Sequence, residues 1–227
     1  MNRIVQIIFN RSKYIFKEIG LRINYTWKRI VGAGVSSTRG YDDYQTYVDH
    51  QKEKTTDQGR IEKWKGQEWH VKLAGFKNIF NRNQEYVSDR KNALCLGART
   101  GQEVKALLDL GIQAIGIDLV PFPPYTIAGD IHHLSYADGA FDFVFTNIFD
   151  HALYPDRFCN EMERVTEPGG IIMIHLQLGI VGDEYTETVV YDPAHVLKMF
   201  SCVSVRESKS IKNTFDGMNW ELVLQKN

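Results

Sequence analysis

The segment from Leu94 to Val104 is the first place in the sequence where residue types and spacing suggest chemistry. Apolar residues of strand length run into a turn bracketed by Gly97 and Gly101, and a helical pattern follows. Glycine adopts positive φ and lets the backbone approach a ligand closely. The first turn of a helix offers unpaired N–H groups to a carboxylate or a phosphate. The segment therefore predicts a ligand-binding loop, with an ordinary tight turn as the alternative.

An acidic residue, Asp118, ends the next predicted strand. An acidic side chain at this place can accept hydrogen bonds from both hydroxyls of a ribose. Nicotinamide-dependent enzymes and methyltransferases share the arrangement, so Asp118 predicts a bound nucleoside without deciding which one. A role in capping or shaping the turn is the alternative.

Three further motifs follow in a fixed order. They are a Gly-Asp-Ile segment at 129–131, a Phe-Asp-Phe-Val strand at 141–144 and a Glu-Pro-Gly-Gly turn at 167–170. With these motifs, the sequence resembles the class I S-adenosylmethionine-dependent methyltransferases, specifically the group often labelled type 11. The resemblance covers residues 91–178 well and the remaining tail loosely. It implies S-adenosylmethionine as cofactor and S-adenosylhomocysteine as its product.

The resemblance also implies roles for individual residues, carried over by position. Gly97 and Gly101 would shape the pocket for the methionine part, and Asp118 would hold the ribose. Asp130 would accept a hydrogen bond from the adenine amino group, and the backbone N–H of Ile131 would reach a ring nitrogen. With their neighbours, the predicted cofactor-binding residues are Gly97, Ala98, Arg99, Gly101, Asp118, Leu119, Asp130, Ile131 and Asn147.

Two positions depart from the family pattern. Where the family has an acidic residue in the strand before the glycine turn, this chain has Cys95, which removes a partner for the methionine ammonium group. Where the family has a middle glycine, this chain has Arg99. The guanidinium of Arg99 could pair with the methionine carboxylate, or it could block the pocket, and the sequence leaves both alternatives open.

The residues after the fourth predicted strand are the candidates for catalysis. Asn147 would lie near the sulfonium and the substrate, and His151 follows at the ligand-binding rim. Methyl transfer from a sulfonium mainly requires that donor and acceptor are positioned. A base is needed only when the acceptor loses a proton, as a hydroxyl does. His151 is the predicted base, with Asp150 orienting its ring or acting as a second candidate; capping or packing of the next helix is the alternative for His151.

The chain divides into three predicted regions joined by short segments. Residues 1–31 form a basic amphipathic helix, which could contact an anionic membrane surface or pack on its own domain or on a second subunit. Residues 32–40 form a small, flexible linker, and residues 41–85 form a helical cap over the acceptor site. Residues 90–227 form the methyltransferase domain. The aromatic residues of the cap that could line the acceptor site are Tyr44, Tyr47, Trp64 and Trp69.

The pattern within residues 90–227 predicts the fold. Short apolar strands alternate with helices, which is typical of an α/β protein. We expect a Rossmann-like, doubly wound, mostly parallel seven-stranded sheet with helices on both faces, plus the N-terminal helical extension. The last two predicted strands, at 203–206 and 220–224, are joined without a helix, so one of them is expected to be antiparallel.

Composition limits the classes of function. The 227 residues carry a formal net charge of −1, which gives no general attraction to nucleic acid, and no such partner is expected. Cys95, Cys159 and Cys202 lie far apart and predict buried thiols in a reducing compartment. No Cys/His group has metal-ligand spacing, so no metal site is predicted. No segment is long enough to span a membrane, and we expect a cytoplasmic protein, membrane-peripheral if residues 1–31 bind lipid.

Three functions remain open from the sequence. The first is methyl transfer to oxygen or nitrogen of a small-molecule or saccharide acceptor. The second is a catalytically weak or inactive partner or scaffold protein, because of Cys95 and Arg99. The third is a nucleotide-binding oxidoreductase, which shares Gly97 and Asp118 but leaves residues 129–131 unexplained. A homodimer is compatible with each of the three.

Overall fold

The computed structural model describes residues 34–180, 182–212 and 217–227. The amphipathic helix predicted for residues 1–31 lies outside the described residues, so its contact with lipid or protein stays a prediction. No helix within the described ranges is long and apolar enough to cross a membrane.

A seven-stranded sheet forms the centre of the structure. The described strands are β1 (Val35–Ser37), β2 (Asn92–Leu96), β3 (Gln113–Asp118), β4 (Thr126–Ala128), β5 (Phe141–Thr146), β6 (Thr166–Leu176), β7 (Thr188–Val190), β8 (Val203–Ser210) and β9 (Trp220–Lys226). The strand order in the large sheet is β4-β3-β2-β5-β6-β9-β8. The first five strands in that order, from β4 to β6, are parallel to one another. Strand β9 is antiparallel to both β6 and β8. The predicted mostly parallel, doubly wound sheet with an antiparallel end is therefore confirmed.

Helices cover both faces of this sheet. The described helices are α1 (Tyr44–Thr56), α2 (Gln58–Lys65), α3 (Gln67–Arg82), α4 (Gln84–Val87), α5 (Gln102–Asp109), α6 (Pro155–Val165) and α7 (Pro193–Leu197). Successive residues of a strand point to opposite faces. Leu94 and Leu96 accordingly belong to one core with Phe158 of α6, whereas Cys95 belongs to the other core with Phe76 of α3.

The segment predicted to form a helical cap is divided into short helices. Residues 41–85 contain α1, α2 and α3, and α4 begins within the same range. Helix α2 begins at Asp57, whose carboxylate accepts the backbone N–H of Arg60 at 2.8 Å, as an N-cap does. Helix α2 ends at Gly66, whose N–H donates to the carbonyl oxygen of Glu62. Asp57 thus separates α2 from α1, and Gly66 separates α2 from α3.

The predicted linker at 32–40 is partly a strand in the described residues. Strand β1 pairs antiparallel with β7, with Val35 opposite Val190. Val35 also packs against the buried core. The prediction of a flexible linker is wrong for this strand, because its partner lies far along the chain and the local run of small residues gave no sign of it.

Candidate active site

The turn after β2 has a backbone that requires glycine at two positions. Gly97 has φ of 70° and Gly101 has φ of 85°, both in the left-handed region. A Cβ at Gly97 would overlap the side chain of Ile148, and a Cβ at Gly101 would overlap Tyr125. Arg99 between them has φ of 45°, which is uncommon for a residue with a side chain. The turn is therefore a close-packed cradle at the carboxyl end of β2.

Two adjoining cavities open at this turn. The larger has a volume of about 410 Å³, within the range of small-molecule sites, and the smaller has a volume of about 70 Å³. Both lie at the carboxyl ends of β2, β3 and β5, where the strand order reverses and ligands of open α/β sheets bind. The residues that line both cavities are Lys54, Gly97, Arg99, Ile148 and His151.

The predicted site residues divide by the cavity that they line. Those at the larger cavity come from the glycine turn and from the segment after β5: Gly97, Ala98, Arg99, Asn147, Asp150 and His151. The smaller cavity adds residues from the ends of β3 and β4: Asp118, Leu119, Asp130 and Ile131. Gly101 lines neither cavity and lies within the turn against Tyr125. The structure thus gathers these residues at one place, and their roles toward a ligand stay predictions.

Asp118 ends β3 with both carboxylate oxygens bound by backbone N–H groups. Its Oδ2 accepts from Arg99 at 2.9 Å, and its Oδ1 accepts from Val120 at 3.1 Å. Burial raises the pKa of this carboxyl, although the two backbone hydrogen bonds and the Arg99 charge act in the opposite direction. A carboxylate oxygen accepts more than one hydrogen bond, so each oxygen can still accept from a ligand hydroxyl.

The Arg99 side chain lies at the boundary between the turn and the cap. Its guanidinium carbon is 4.2 Å from the centroid of the Trp64 ring, which is a cation–π contact. Trp64 belongs to α2 and is only 6% exposed. Within the described part of the chain, the Arg99 side chain forms no ion pair with a carboxylate. An aromatic face therefore holds this cation at the wall of both cavities.

Asp130 is bound by the cap as well as by its own segment. The hydroxyl of Tyr44 donates to its carboxylate, with distances of 2.7 and 2.9 Å to the two oxygens. The backbone N–H of His132 donates to Oδ1 at 2.8 Å. Burial alone would raise the pKa of the Asp130 carboxyl, but the hydrogen bonds from His132 and Tyr44 lower it. Asp130 thus stays ionised at the smaller cavity and joins α1 to the end of β4.

His151 follows β5 in a short 3-10 helix, with its ring fixed by contacts at both nitrogens. Its Nδ1 lies 2.7 Å from the carbonyl oxygen of Tyr185, so Nδ1 carries the proton in the neutral ring and Nε2 is the acceptor. Nε2 lies 3.4 Å from Nζ of Lys54 and 3.8 Å from Oδ2 of Asp150. The hydroxyl of Tyr47 donates to the carbonyl oxygen of His151 at 2.9 Å. The basic nitrogen is thus directed toward residues that line the larger cavity.

Lys54 is a site residue that the sequence analysis missed. It lies on α1, and its Nζ is 2.9 Å from Oδ2 of Asp183. Burial lowers the pKa of Lys54, while the hydrogen bond that Lys54 donates to Asp183 acts to raise it. Helix α1 is polar along most of its length, so a lysine within it carries no local signal of a site.

Glu103 is a second residue that the sequence analysis missed. It lies in the first turn of α5, is only 4% exposed and lines the larger cavity. Burial raises the pKa of its carboxyl to about 8. The spacing carries a signal, since the apolar Leu107 lies four residues later and residues at this spacing share one helix face.

Two of the four aromatic residues predicted to line the acceptor site do line these cavities. Trp64 lines the larger and Tyr47 the smaller. Tyr44 instead binds Asp130, and Trp69 packs against Tyr125, with ring centroids 5.7 Å apart. The cap therefore provides mainly polar side chains to the larger cavity.

The cysteines and the other ligating residues form no metal centre in the described ranges. No group of three or more His, Cys, Asp and Glu residues there could hold a metal ion. Cys95 and Cys159 are buried free thiols, whereas Cys202 is exposed. The prediction that Cys202 is buried is wrong, because it precedes β8, the edge strand of the sheet.

A comparison with known families identifies the central part of the chain. Residues 94–174 match the model of a family described as a methyltransferase domain. The matched segment contains the glycine turn, Asp118, Asp130 and His151. No curated protein matches the chain at the sequence level.

Solved structures with the same fold come from several sources. A 1,6-didemethyltoxoflavin-N1-methyltransferase of Burkholderia thailandensis, with 1,6-didemethyltoxoflavin and S-adenosylhomocysteine bound, is 12% identical; the match covers 85% of this chain and 94% of that one, with a TM-score of 0.62. An S-adenosylmethionine-dependent methyltransferase from Archaeoglobus fulgidus is 13% identical over 75% of this chain and 100% of that one, with a TM-score of 0.57. The [4+2]-cyclase SpnF is 16% identical over 66% of this chain and 81% of that one, with a TM-score of 0.54.

At these identities the likeness shows a common fold, and the family model matches the central segment of the chain. Together they confirm the resemblance to class I methyltransferases that the sequence motifs indicated. The chain has the fold of the S-adenosylmethionine-dependent methyltransferases, and its residues 94–174 match the model of a methyltransferase domain.

Proposed function

We propose that this chain transfers the methyl group of S-adenosylmethionine to oxygen or nitrogen of a small-molecule or saccharide acceptor. The observation that supports the proposal most directly is that the two adjoining cavities gather the methyltransferase motif residues around His151. The residues present also fit the cofactor. Gly97 presents backbone without a side chain to both cavities, and Asp118 can accept further hydrogen bonds at the smaller one.

The two cavities suit different parts of the cofactor. In this proposal Asp118 accepts from the ribose hydroxyls, while Asp130 and the backbone of Ile131 contact the adenine; all three line the smaller cavity. Arg99 lines both cavities and binds the methionine carboxylate through its guanidinium. When bound, S-adenosylmethionine supplies an electrophilic methyl group on its sulfonium.

His151 serves as the base when the acceptor is a hydroxyl. The proton of the acceptor O–H passes to Nε2, which the Nδ1–H contact with the carbonyl oxygen of Tyr185 leaves unprotonated. The acceptor hydroxyl takes the place of Lys54 as the donor to Nε2, while Lys54 keeps its ion pair with Asp183. Asp150, whose Oδ2 is 3.8 Å from Nε2, stabilises the positive charge that the ring gains. An amine acceptor that arrives unprotonated would not require this step.

The cap favours a small acceptor. Helices α1 to α3 contribute to the wall of the larger cavity: Lys54, Arg60, Lys63, Trp64, Glu68, Lys72 and Phe76. An acceptor therefore has to fit in a space partly enclosed by the chain's own helices. Polar side chains around one tryptophan suit a hydroxyl-bearing or amine-bearing molecule.

Calorimetric binding of S-adenosylmethionine and S-adenosylhomocysteine to the purified chain tests the proposal. We expect both to bind, and Asp118→Ala to weaken them by about 100-fold, since two hydrogen bonds to a charged group are lost. Asp109→Ala is the matched control, because Asp109 is bound by Lys77 at the surface of α5 and should leave affinity unchanged. Absence of binding to the wild type would contradict the proposal and favour the scaffold function. Binding of a nicotinamide dinucleotide instead would favour an oxidoreductase.

A second experiment addresses the base. Methyl-labelled S-adenosylmethionine is incubated with panels of hydroxyl-bearing and amine-bearing small molecules, including saccharides. For a hydroxyl acceptor, His151→Ala should lower kcat by about 100-fold and leave the affinity for S-adenosylhomocysteine unchanged. Transfer to a hydroxyl at the wild-type rate by His151→Ala would show that the assignment of the base is wrong.

A further inference from the structure

We propose that the carboxylate of Glu103 binds the ammonium group at the amino-acid end of the cofactor, where Cys95 offers no acceptor. The inference rests on the proposed function, since it requires a ligand with an amino-acid part in the larger cavity. It assigns a binding role to a residue outside the glycine turn.

Glu103 differs from the other carboxylates of the larger cavity. Glu68 lies 2.7 Å from Nζ of Lys63, Asp183 lies 2.9 Å from Nζ of Lys54, and Asp150 lies 3.8 Å from Nε2 of His151. The Glu103 carboxylate forms no ion pair among the residues that the structure describes, and the hydrogen bond that acts to lower its pKa comes from the backbone of Glu103 itself. It nevertheless belongs to a side chain that is 4% exposed and lines the cavity.

The groups around Glu103 do not replace a direct partner. Arg99 and Lys72 favour its ionised form through their charges, whereas Asp118 opposes it, and Cys95 is close enough that Glu103 affects its thiol. Burial outweighs the two cations and raises the pKa of Glu103 to about 8. A buried carboxylate is stable only when a donor or cation pairs with it. A ligand cation in the cavity would stabilise the ionised form of Glu103, and this interaction would hold the ligand.

The chemistry of the cavity wall favours an α-amino acid as the source of that cation. A primary ammonium offers a positive charge and three N–H donors, which suits a carboxylate that forms no ion pair among the described residues. Arg99 lines the same cavity with a guanidinium held on the Trp64 ring, and it can accept the negative end of the same zwitterion. Glu103 on α5 and Arg99 in the turn therefore form a pair of opposite charges matched to an ammonium and a carboxylate.

The test compares two adenosyl ligands that differ in this group. S-adenosylhomocysteine carries the ammonium and no sulfonium charge, while 5′-methylthioadenosine lacks the whole amino-acid end. Glu103→Gln should weaken S-adenosylhomocysteine by about 30-fold, as expected for a lost charge-assisted hydrogen bond, and leave 5′-methylthioadenosine unchanged. Retained binding of 5′-methylthioadenosine also shows that the variant is folded. Glu68→Gln is the matched control, because it removes another carboxylate from the same cavity.

Equal losses in Glu68→Gln and Glu103→Gln would overturn the assignment, since the general charge of the cavity would then explain both. Unchanged binding of S-adenosylhomocysteine by Glu103→Gln would overturn it as well. If the wild type binds neither ligand, the proposed function itself fails, which is a different result from wild-type binding that Glu103→Gln leaves intact.

Proton release gives a second readout that a purely structural role would not change. Because the pKa of Glu103 is raised to about 8, its carboxyl is largely protonated at pH 7, and binding of an ammonium requires the ionised form. Calorimetry in two buffers of different ionisation enthalpy should show that the wild type releases more protons on binding S-adenosylhomocysteine than Glu103→Gln does. Equal proton release by the two proteins would contradict the proposal.

Discussion

The two walls of the larger cavity differ in whether their charged side chains form ion pairs within the chain. On the cap wall, formed by α1 to α3, Lys54 and Lys63 each contact a carboxylate of the same chain. On the sheet wall, formed by the glycine turn, α5 and the segment after β5, the Arg99 guanidinium lies on an aromatic ring. Glu103 on the same wall forms no ion pair with the described residues. The sheet wall is therefore prepared for the charges of a ligand, whereas the cap wall is already neutralised.

This difference explains how one site can combine affinity with adaptability. Groups that are buried without partners lower the stability of the free protein, and this is a common property of binding sites. Groups that are paired at a partly exposed surface contribute little to stability and can be exchanged. We therefore expect substitutions in the sheet wall to have large effects, and substitutions in the cap wall to have small effects on the cofactor.

The largest effect is expected in the glycine turn. Gly97→Ala places a side chain in the left-handed region and against Ile148, and should lower the free energy of unfolding by about 3 kcal/mol. Gly111→Ala is the control, because Gly111 also has φ of 85° but no atom near its added Cβ. It should lower that free energy by only about 1 kcal/mol. Denaturant unfolding measures both, and equal effects would show that the cradle is not closely packed.

The next effect concerns the stability of the free protein at different pH values. The raised pKa of Glu103 means that its contribution to stability is present below the pKa of the unfolded chain and is lost as the pH rises toward about 8. Glu103→Gln should therefore raise the free energy of unfolding by about 2 kcal/mol at pH 9, the magnitude of an unpaired buried polar group, and by much less at pH 5. Glu68→Gln is the control, since Lys63 and Lys72 lower the pKa of Glu68. A stabilisation that did not change with pH would contradict this prediction.

A smaller effect is expected for the cation of the sheet wall. Arg99→Ala should weaken S-adenosylhomocysteine by about 10-fold, because one charge-assisted contact is lost, and leave 5′-methylthioadenosine unchanged. Arg60→Ala removes a cation from the cap wall, where Arg60 lies 3.3 Å from Glu184, and should change neither affinity. Tighter binding by Arg99→Ala would show instead that Arg99 obstructs the pocket.

The smallest effect is expected at the ion pairs of the cap. Lys63→Met should change the free energy of unfolding by less than about 0.5 kcal/mol, because Lys63 is largely exposed and such pairs contribute little. Lys77→Met, which removes a similar pair with Asp109 outside the cavity, serves as the comparison. If Lys63→Met alone weakened S-adenosylhomocysteine, the cap wall would have a direct part in cofactor binding.

The same contrast separates what the sequence predicted from what it did not. The glycine turn and Asp118 follow apolar strands at short range, so local pattern placed them at one edge of the sheet. Strand β4 has only three residues and gave no pattern of its own. Lys54 reaches the site from a polar helix far along the chain. Glu103 shares a helix face with Leu107, and that spacing indicates burial but not contact with a ligand. Contacts of this kind depend on tertiary structure, which periodicity does not encode.

Helix α1 is attached to the base at several points. Tyr47 donates to the carbonyl oxygen of His151, Lys54 contacts its Nε2, and Gln51 donates to the same Tyr185 carbonyl oxygen that lies beside Nδ1. If α1 moves away from the sheet during ligand exchange, as lids do in many enzymes, these contacts break together. The His151 ring would then be oriented only while α1 lies against the sheet. Ligand entry and release would take place at a different time from proton transfer.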